Sequence, residues 1–401
     1  MANHPLVALT TFMIMVVFVA AVCFTGATAR TYNVKSLGAR ADGKTDSTKA
    51  FMAAWNSACG SVNAATVYVP QGRYIVGGLM FNGPCKNGAI MVRIDGTLVA
   101  PSNYFVLGNS QFWLRFYGVQ GVTILGGTLD AQGSGLWACK ASKSKNCPAG
   151  ATSLGIYNSN NVLVYGVTSL NSQLFHMVVA GCRNVRVVGA NVVAPWNSPN
   201  TDGIHVQQST GVTILNSKFS TGDDCVSIGS GSNNLWIEGV SCGPGHGISI
   251  GSLGNRLIEQ GVRNVTVKRT TFKGTDNGLR IKAWAKPSNG FVDNILFQDA
   301  IMTNVKNPIL IDQNYCPSRT NCPRQGSGVK ITNVRYQNVR GISATKVAVR
   351  FDCSKINPCR GITMQDVNLT FKNKRSSSAA SAYCVNAAGR SSGVMKPTSC
   401  L

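Results

Sequence analysis

Four short segments between Asn200 and Trp284 carry most of the chemistry this chain can offer. They read Asn200-Thr-Asp-Gly-Ile-His, Gly222-Asp-Asp-Cys-Val-Ser, Gly245-His-Gly-Ile-Ser and Gly278-Leu-Arg-Ile-Lys. Together they supply Asp202, Asp223, Asp224, His205, His246, Arg280 and Lys282, in a chain with only 15 acidic residues among 401. Carboxylates held one strand spacing apart repel one another, so the set keeps a proton near neutral or mildly acidic pH. Glycoside hydrolysis uses such a division: a protonated carboxyl on the leaving oxygen and a carboxylate that activates water. Arg280 and Lys282 add positive charge for an acidic substrate, the arginine as a two-pronged fork and the lysine as a point charge.

Those residues need a scaffold that brings successive segments side by side. The body of the chain provides a repeat. Strand-like units recur at Gly121-Val-Thr-Ile, Asn161-Val-Leu-Val, Asn184-Val-Arg-Val, Gly211-Val-Thr-Ile, Asn234-Leu-Trp-Ile, Asn264-Val-Thr-Val and Asn294-Ile-Leu-Phe. Most alternate apolar and polar residues and are bounded by Gly or Asn. The catalytic-looking segments form a second series between them, opened by His176-Met-Val-Val and closed by Pro308-Ile-Leu-Ile-Asp. Two interleaved strand series at this period predict a solenoid. No leucine-rich or WD-type signature is present. The expected fold is all-β: a right-handed parallel β-helix, its coils about 4.8 Å apart. Thr48 to Cys59 reads as a helix capping the N-terminal end, and residues 30–401 as one domain.

Stacking the segments predicts columns. The first runs Asp202, Asp224, His246, Asn277. The second runs His205, Ser227, Ser249, Arg280, and the third Gln207, Gly229, Gly251, Lys282. Asp223 precedes its strand, so its side chain points elsewhere than that of Asp224. Any single Asp at the start of a strand is equally read as an Asx turn. A turn does not explain a histidine, an arginine and a lysine on the same sheet. His205 reads as part of a structural ladder with Ser227 and Ser249. The Gly229-Ser-Gly-Ser run is a turn, lacking the lysine and helix of a phosphate loop.

Bulk composition narrows the partner. The net charge is +23, with 38 Lys+Arg against 15 Asp+Glu, which favours a polyanion. Residues 1–29 are uncharged until Arg30, and Val7 to Phe24 is largely apolar, ahead of Ala27-Thr28-Ala29. This reads as a secretory signal peptide cut near Ala29/Arg30, with an uncleaved anchor as the alternative. A secreted destination fits the 14 cysteines. Cys139/Cys147, Cys225/Cys242, Cys316/Cys322, Cys353/Cys359 and Cys384/Cys400 are the close pairs. Loss of Cys23 with the leader leaves an odd number, so one thiol stays free. No CxxC pair exists to suggest zinc. Asn264-Val-Thr and Asn368-Leu-Thr are glycosylation sequons. A basic extracellular protein meets acidic polysaccharide more readily than nucleic acid.

At these residues the chain resembles the polygalacturonases of glycoside hydrolase family 28. The four motifs NTD, GDD, GHG and RIK stand in order at Asn200–Asp202, Gly222–Asp224, Gly245–Gly247 and Arg280–Lys282. The likeness extends to Asp42-Gly-Lys-Thr-Asp46, Asn314-Tyr315 and the cysteine-bearing tail. It implies inverting hydrolysis of α-1,4-galacturonan (pectin) by a monomer, without metal or organic cofactor and without a nucleic-acid or membrane partner. Carried over by position, Asp223 is the general acid. Asp202 and Asp224 hold and deprotonate the water, and His246 sets the protonation of the acid. Arg280, Lys282, Tyr315 and Asn200 contact substrate. Ala283-Trp284 departs from the family's usual Thr-Trp, a matter of packing. The segment from Leu136 to Leu154 resembles plant pollen-type members, which are mostly exo-acting. A calcium-dependent pectate lyase, an endo-acting enzyme and a non-catalytic pectin-binding wall protein are the competing readings.

Overall fold

A computed structural model describes residues 29–372 and 377–401. The expected leader, with Cys23, lies outside the described residues apart from Ala29. The chain winds as a right-handed parallel β-helix, in which each turn returns a strand to the edge of its predecessor. Two sheets run its length, one of 22 strands and one of 11. Among the described residues every strand pairing is parallel except that of Cys359–Lys372 with Ser377–Ala379.

The alternation read from the repeats places one face of each strand inward. Val162, Val185, Val212, Leu235, Val265, Ile295 and Val334 stack in register along the larger sheet, and all are buried. Ile204, Val226, Ile248, Leu279, Ile309 and Val349 form the matching ladder on the smaller sheet. Each such side chain contributes roughly 1.5–3 kcal/mol on burial, and the ladder repeats on every coil. The asparagines that open the repeats turn the chain. Asn161, Asn184, Asn234, Asn264, Asn294 and Asn333 all have φ of 54–57°, a left-handed conformation that asparagine tolerates better than other side chains. Asn264 also donates to Asn234 at 3.1 Å, and Asn294 to Asn264 at 2.8 Å, so the bends are tied from coil to coil.

The N-terminal cap is the helix Thr48–Gly60. Phe51, Ala54, Trp55 and Ala58 recur at helical spacing and form its buried stripe. Trp55 sits 5.0 Å from the Phe81 ring and 5.6 Å from Phe116, closing the open end of the core. All five cysteine pairs read from the sequence are disulfides. A sixth, Cys59–Cys85, was not legible from spacing; it ties the capping helix to the next coil. Among the described residues the free thiol is the buried Cys182.

One expectation needs correction. The smaller sheet does not open at His176 or close after Pro308. It begins at Leu79–Asn82, Phe112–Tyr117 and Thr152–Tyr157, and continues through Val347–Asp352 and Ser381–Val385. These outer strands carry none of the polar motifs that marked the series in sequence. Hydrogen bonding to the neighbouring coil defines them instead.

Candidate active site

The segments from Asn200 to Lys282 lie on consecutive rungs of the smaller sheet. The second column forms as expected: His205 pairs with Ser227, Ser227 with Ser249, and Ser249 with Arg280. Asp202, Asp224, His246 and Asn277 therefore align one strand-start above another. The third column is interrupted. The register shifts between Ile250 and Leu253, and Lys282 pairs onward with Asp312.

Asp224 is the electrostatic centre. Its carboxylate is 1% exposed and accepts from Arg280 Nη2 at 2.6 Å, Lys282 Nζ at 2.7 Å and Ser249 Oγ at 2.9 Å. Arg280 Nε also donates to Ser249 Oγ at 2.8 Å. Burial alone pushes this carboxyl up, but Lys282 and Arg280 outweigh it and hold the group below its ordinary value. The two cations expected to meet substrate are thus also counter-ions of Asp224. The Lys282 ammonium lies 5.3 Å from the centre of the Tyr315 ring, and that ring meets Trp284 edge-on at 5.4 Å.

Asp202 has no such cation in contact. Burial, then the Asp223 and Asp224 carboxylates, raise its pKa well above the usual range, against the opposing pull of Ser227 and Lys282. These effects favour the protonated form of Asp202 over its carboxylate. Ser227 Oγ is 2.6 Å from Asp202 Oδ2 and 2.8 Å from His205 Nδ1. The ladder expected at His205 exists, but it ends on a candidate catalytic carboxyl.

Asp223, just before the strand, takes different partners from Asp224, although carboxylate oxygens of the two lie within 4.8 Å of each other. Its Oδ1 meets His246 Nδ1 at 3.0 Å and accepts the Asp224 amide at 2.9 Å. Its Oδ2 accepts from Asn200 Nδ2 at 3.3 Å. The hydrogen bond to Asp223 raises the pKa of His246, against burial of the ring. The two glycines around His246 are a steric requirement at Gly247. Its φ is +89°, and a Cβ there would stand 2.2 Å from the carbonyl oxygen of Asn277. Asn277 itself is structural, donating to the His246 carbonyl at 3.0 Å. Ala283 is buried in the core, so its departure from the motif is absorbed by packing.

Sequence reasoning missed Asp276. Its Oδ2 lies 3.9 Å from His246 Nε2 and its Oδ1 2.6 Å from Lys306 Nζ, so His246 stands between two carboxylates. The residue directly precedes the Asn277 column, which was the available signal. Asp223, Asp224 and His246 offer ligand atoms within 4.8 Å of one another. A dication there would meet the fixed charges of Arg280 and Lys282, which makes the trio a poor metal site.

The arrangement sets a carboxyl–imidazole pair, Asp223 and His246, with two further carboxyls and two cations. Residues 59–392 match Glycosyl hydrolases family 28, and residues 31–83 match a second family, Rhamnogalacturonase A/epimerase, pectate lyase-like. A polygalacturonase of Prunus persica is 59% identical over 390 residues, spanning 97% of this chain and 98% of its own. An exopolygalacturonase of Platanus acerifolia is 43% identical, over 91% of this chain and 96% of its own. Among solved structures, an endo-xylogalacturonan hydrolase from Aspergillus tubingensis superposes with a TM-score of 0.77 at 21% identity, covering 90% of this chain and all of the other. At that identity it speaks for the β-helix alone. The family match over most of the chain, with all four motifs gathered on one sheet, places the protein: it belongs to glycosyl hydrolases family 28.

Proposed function

We propose that this chain hydrolyses α-1,4-galacturonosyl bonds of polygalacturonate outside the cell, with inversion and from the chain end. The observation that carries the reading is the placement of Asp202, Asp223 and Asp224 with Arg280 and Lys282 on consecutive rungs of one sheet. Asp223 shares a proton with His246 and delivers it to the glycosidic oxygen. Asn200 fixes the second oxygen of that acid. Asp202 and Asp224 hold the water, and Asp202 takes its proton. Arg280 and Lys282 each keep donors beyond those spent on Asp224, and these meet galacturonate carboxylates. Tyr315 offers a ring face beside them. Such a set is worth most in a partly desolvated groove, where fixed charges act without reorganisation.

A retaining course is the specific alternative. Asp223 and Asp224 have oxygens within 4.8 Å, a spacing close to that of retaining pairs. Both Asp224 oxygens are already bound by Arg280, Lys282 and Ser249, which makes it a poor nucleophile and leaves water as the attacking group. The end-on mode is supported by the name of the Platanus acerifolia relative. The segments around Gly108–Phe112, Gly150 and Phe175 line a cleft of about 280 Å³ that reaches His205 and Gln207. Six disulfides support an oxidising destination.

The test is product analysis on polygalacturonate. Monomer as the sole early product, first formed as the β-anomer, is expected. Early oligomers would replace the end-on mode with internal cleavage, and an α-anomer would establish retention. Asp202→Asn and Asp223→Asn should each remove reducing-sugar release while the fold persists. Full activity in either overturns the assignment.

A further inference from the structure

Ser227 has one proton and two strong partners. Its Oγ lies 2.6 Å from Asp202 Oδ2 and 2.8 Å from His205 Nδ1, so one of the two must donate to it. The far side of the imidazole is engaged as well: His205 Nε2 is 3.3 Å from Gln207 Oε1. Phe175 stacks on the ring at 5.2 Å and 22°. His205 is thereby an interior member of a four-member chain, Gln207–His205–Ser227–Asp202.

Donor logic allows two states of that chain. When Asp202 is protonated, its O–H donates to Ser227, the Ser227 O–H donates to Nδ1 of His205, and Nε2–H donates to Gln207. When Asp202 is ionised, Ser227 donates to the carboxylate and Nδ1–H donates to Ser227. Moving between them needs two concerted proton shifts. The Asp202 O–H bond breaks as the proton passes to Ser227 Oγ, and the Ser227 proton passes to Nδ1. Serine is unchanged, aspartate becomes a carboxylate and His205 becomes an imidazolium. No oxidant, reductant or outside co-reactant is involved.

We propose that His205 is a positioning residue for hydrolysis, which exchanges a proton with Asp202 through Ser227 and so makes Asp202 competent to accept a proton from the attacking water. This rests on the assignment of Asp202 as the water-holding carboxyl. It answers a tension within the site: burial and the Asp223 and Asp224 carboxylates push Asp202 toward its protonated form, yet a base must be ionised. His205 is suited to hold the proton only transiently, because burial lowers its own pKa, with Lys282 opposing the charge and Gln207 and Asp224 favouring it. Once water has reprotonated Asp202, the extra proton leaves from the Gln207 side. His205 and Gln207 both line a cleft of about 560 Å³ open to solvent there.

Two readouts test this, one of them independent of turnover. The chain has four histidines, so nitrogen-15 spectra of the imidazoles can be assigned by single replacements. In the native enzyme the Nδ1 and Nε2 resonances of His205 should change with pH as Asp202 titrates. In Asp202→Asn, whose amide can donate to or accept from Ser227 but has no acidic proton to pass on, the change that follows the titration of residue 202 should be lost. Identical His205 titration in the two proteins overturns the proposal whether or not the protein cleaves pectin. In kinetics, His205→Asn keeps a donor for Ser227 but cannot store a proton. Its kcat should fall at least 10-fold with KM within 2-fold, and the acid limb of the kcat profile should move alkaline. Ser227→Ala, a smaller change to the fold, should move the same limb in the same direction. An unmoved acid limb in both variants, or a rise in KM with kcat intact, would reduce His205 to a packing or sugar-contact residue. Absence of hydrolysis by the native enzyme would instead count against the proposed function, leaving the spectra to decide this point.

Discussion

Replacing Lys282 with methionine removes one of the two cations on Asp224 while keeping a side chain of similar length in the same space. Lys282 and Asp224 are 9% and 1% exposed and 2.7 Å apart, so solvent screens the pair little. Breaking a buried ion pair from one side costs about 3–5 kcal/mol, because the remaining charge stays buried. Arg280 and Ser249 still hold Asp224, which puts the expected loss near the lower figure, about 3 kcal/mol. At ~2.1 cal/mol/K per residue over roughly 370 described residues, that is a fall in Tm of about 4 °C. The pH dependence gives the sharper check. Asp224 is depressed in the folded protein, so its contribution is present above the ordinary carboxyl value of 3.8 and is lost as pH falls through its folded pKa. Without Lys282, burial pushes Asp224 upward against Arg280 and Ser249 alone. The variant then relieves its unpaired charge by protonation at a pH where the native protein is still ionised. The Tm gap measured by calorimetry should be widest near neutrality and narrow as pH falls toward the ordinary carboxyl range. A gap below about 1 °C at pH 6, or one that does not change with pH, would refute this account of Asp224.

His246 and its surrounding glycines yield two further expectations. The imidazole is raised above its ordinary 6.5 by Asp223, with Asp224 also favouring the charge, Arg280 opposing it and Asp276 beyond Nε2. Its charged form, and the stability it brings, persist below 6.5 and are lost as pH rises through the higher folded value. The alkaline limb of the pH–rate profile should therefore lie above 6.5, and His246→Gln should abolish that limb and lower kcat by roughly 10²–10⁴; a limb that survives the replacement would assign it to another group. Gly247→Ala adds a left-handed alanine, roughly 1–2 kcal/mol, and a Cβ 2.2 Å from the Asn277 carbonyl oxygen. It should lower both Tm and activity, whereas Gly88→Ala, with open space around its Cβ, should change neither.

What was legible in the sequence follows the distance over which each interaction is specified. The coil is a local object: a Val-x-Val alternation, an asparagine able to adopt positive φ, and a turn. Each repeat announces itself, and stacking identical units fixes the columns, so the pairing of Ser227, Ser249 and Arg280 could be read by aligning segments. The different partners of Asp223 and Asp224 fit the expected split, but strand alternation did not predict that their oxygens converge to within 4.8 Å. Outer strands such as Leu79–Asn82 lacked a motif of their own, and the Cys59–Cys85 bridge joins a helix end to the next coil across 26 residues. Neither leaves a short-range mark.

The side-chain wiring was less legible than the backbone that presents it. A column says that His205 and Ser227 are neighbours; it does not say which of their atoms meet. Alignment alone made them a structural ladder, and their side-chain contacts turn that ladder into a path ending on Asp202 Oδ2. The same limit applies to Arg280 and Lys282. Their charge implied an acidic substrate, but reach and rotamer decide that both first neutralise Asp224. That sharing has a chemical consequence. A substrate carboxylate that draws on either cation weakens its hold on Asp224, so galacturonate binding and the basicity of the water-holding carboxyls are coupled through the same two side chains. A neutral sugar in the groove would leave Asp224 fully clamped. The acidity of the substrate is therefore part of the site's electrostatics as well as its selectivity.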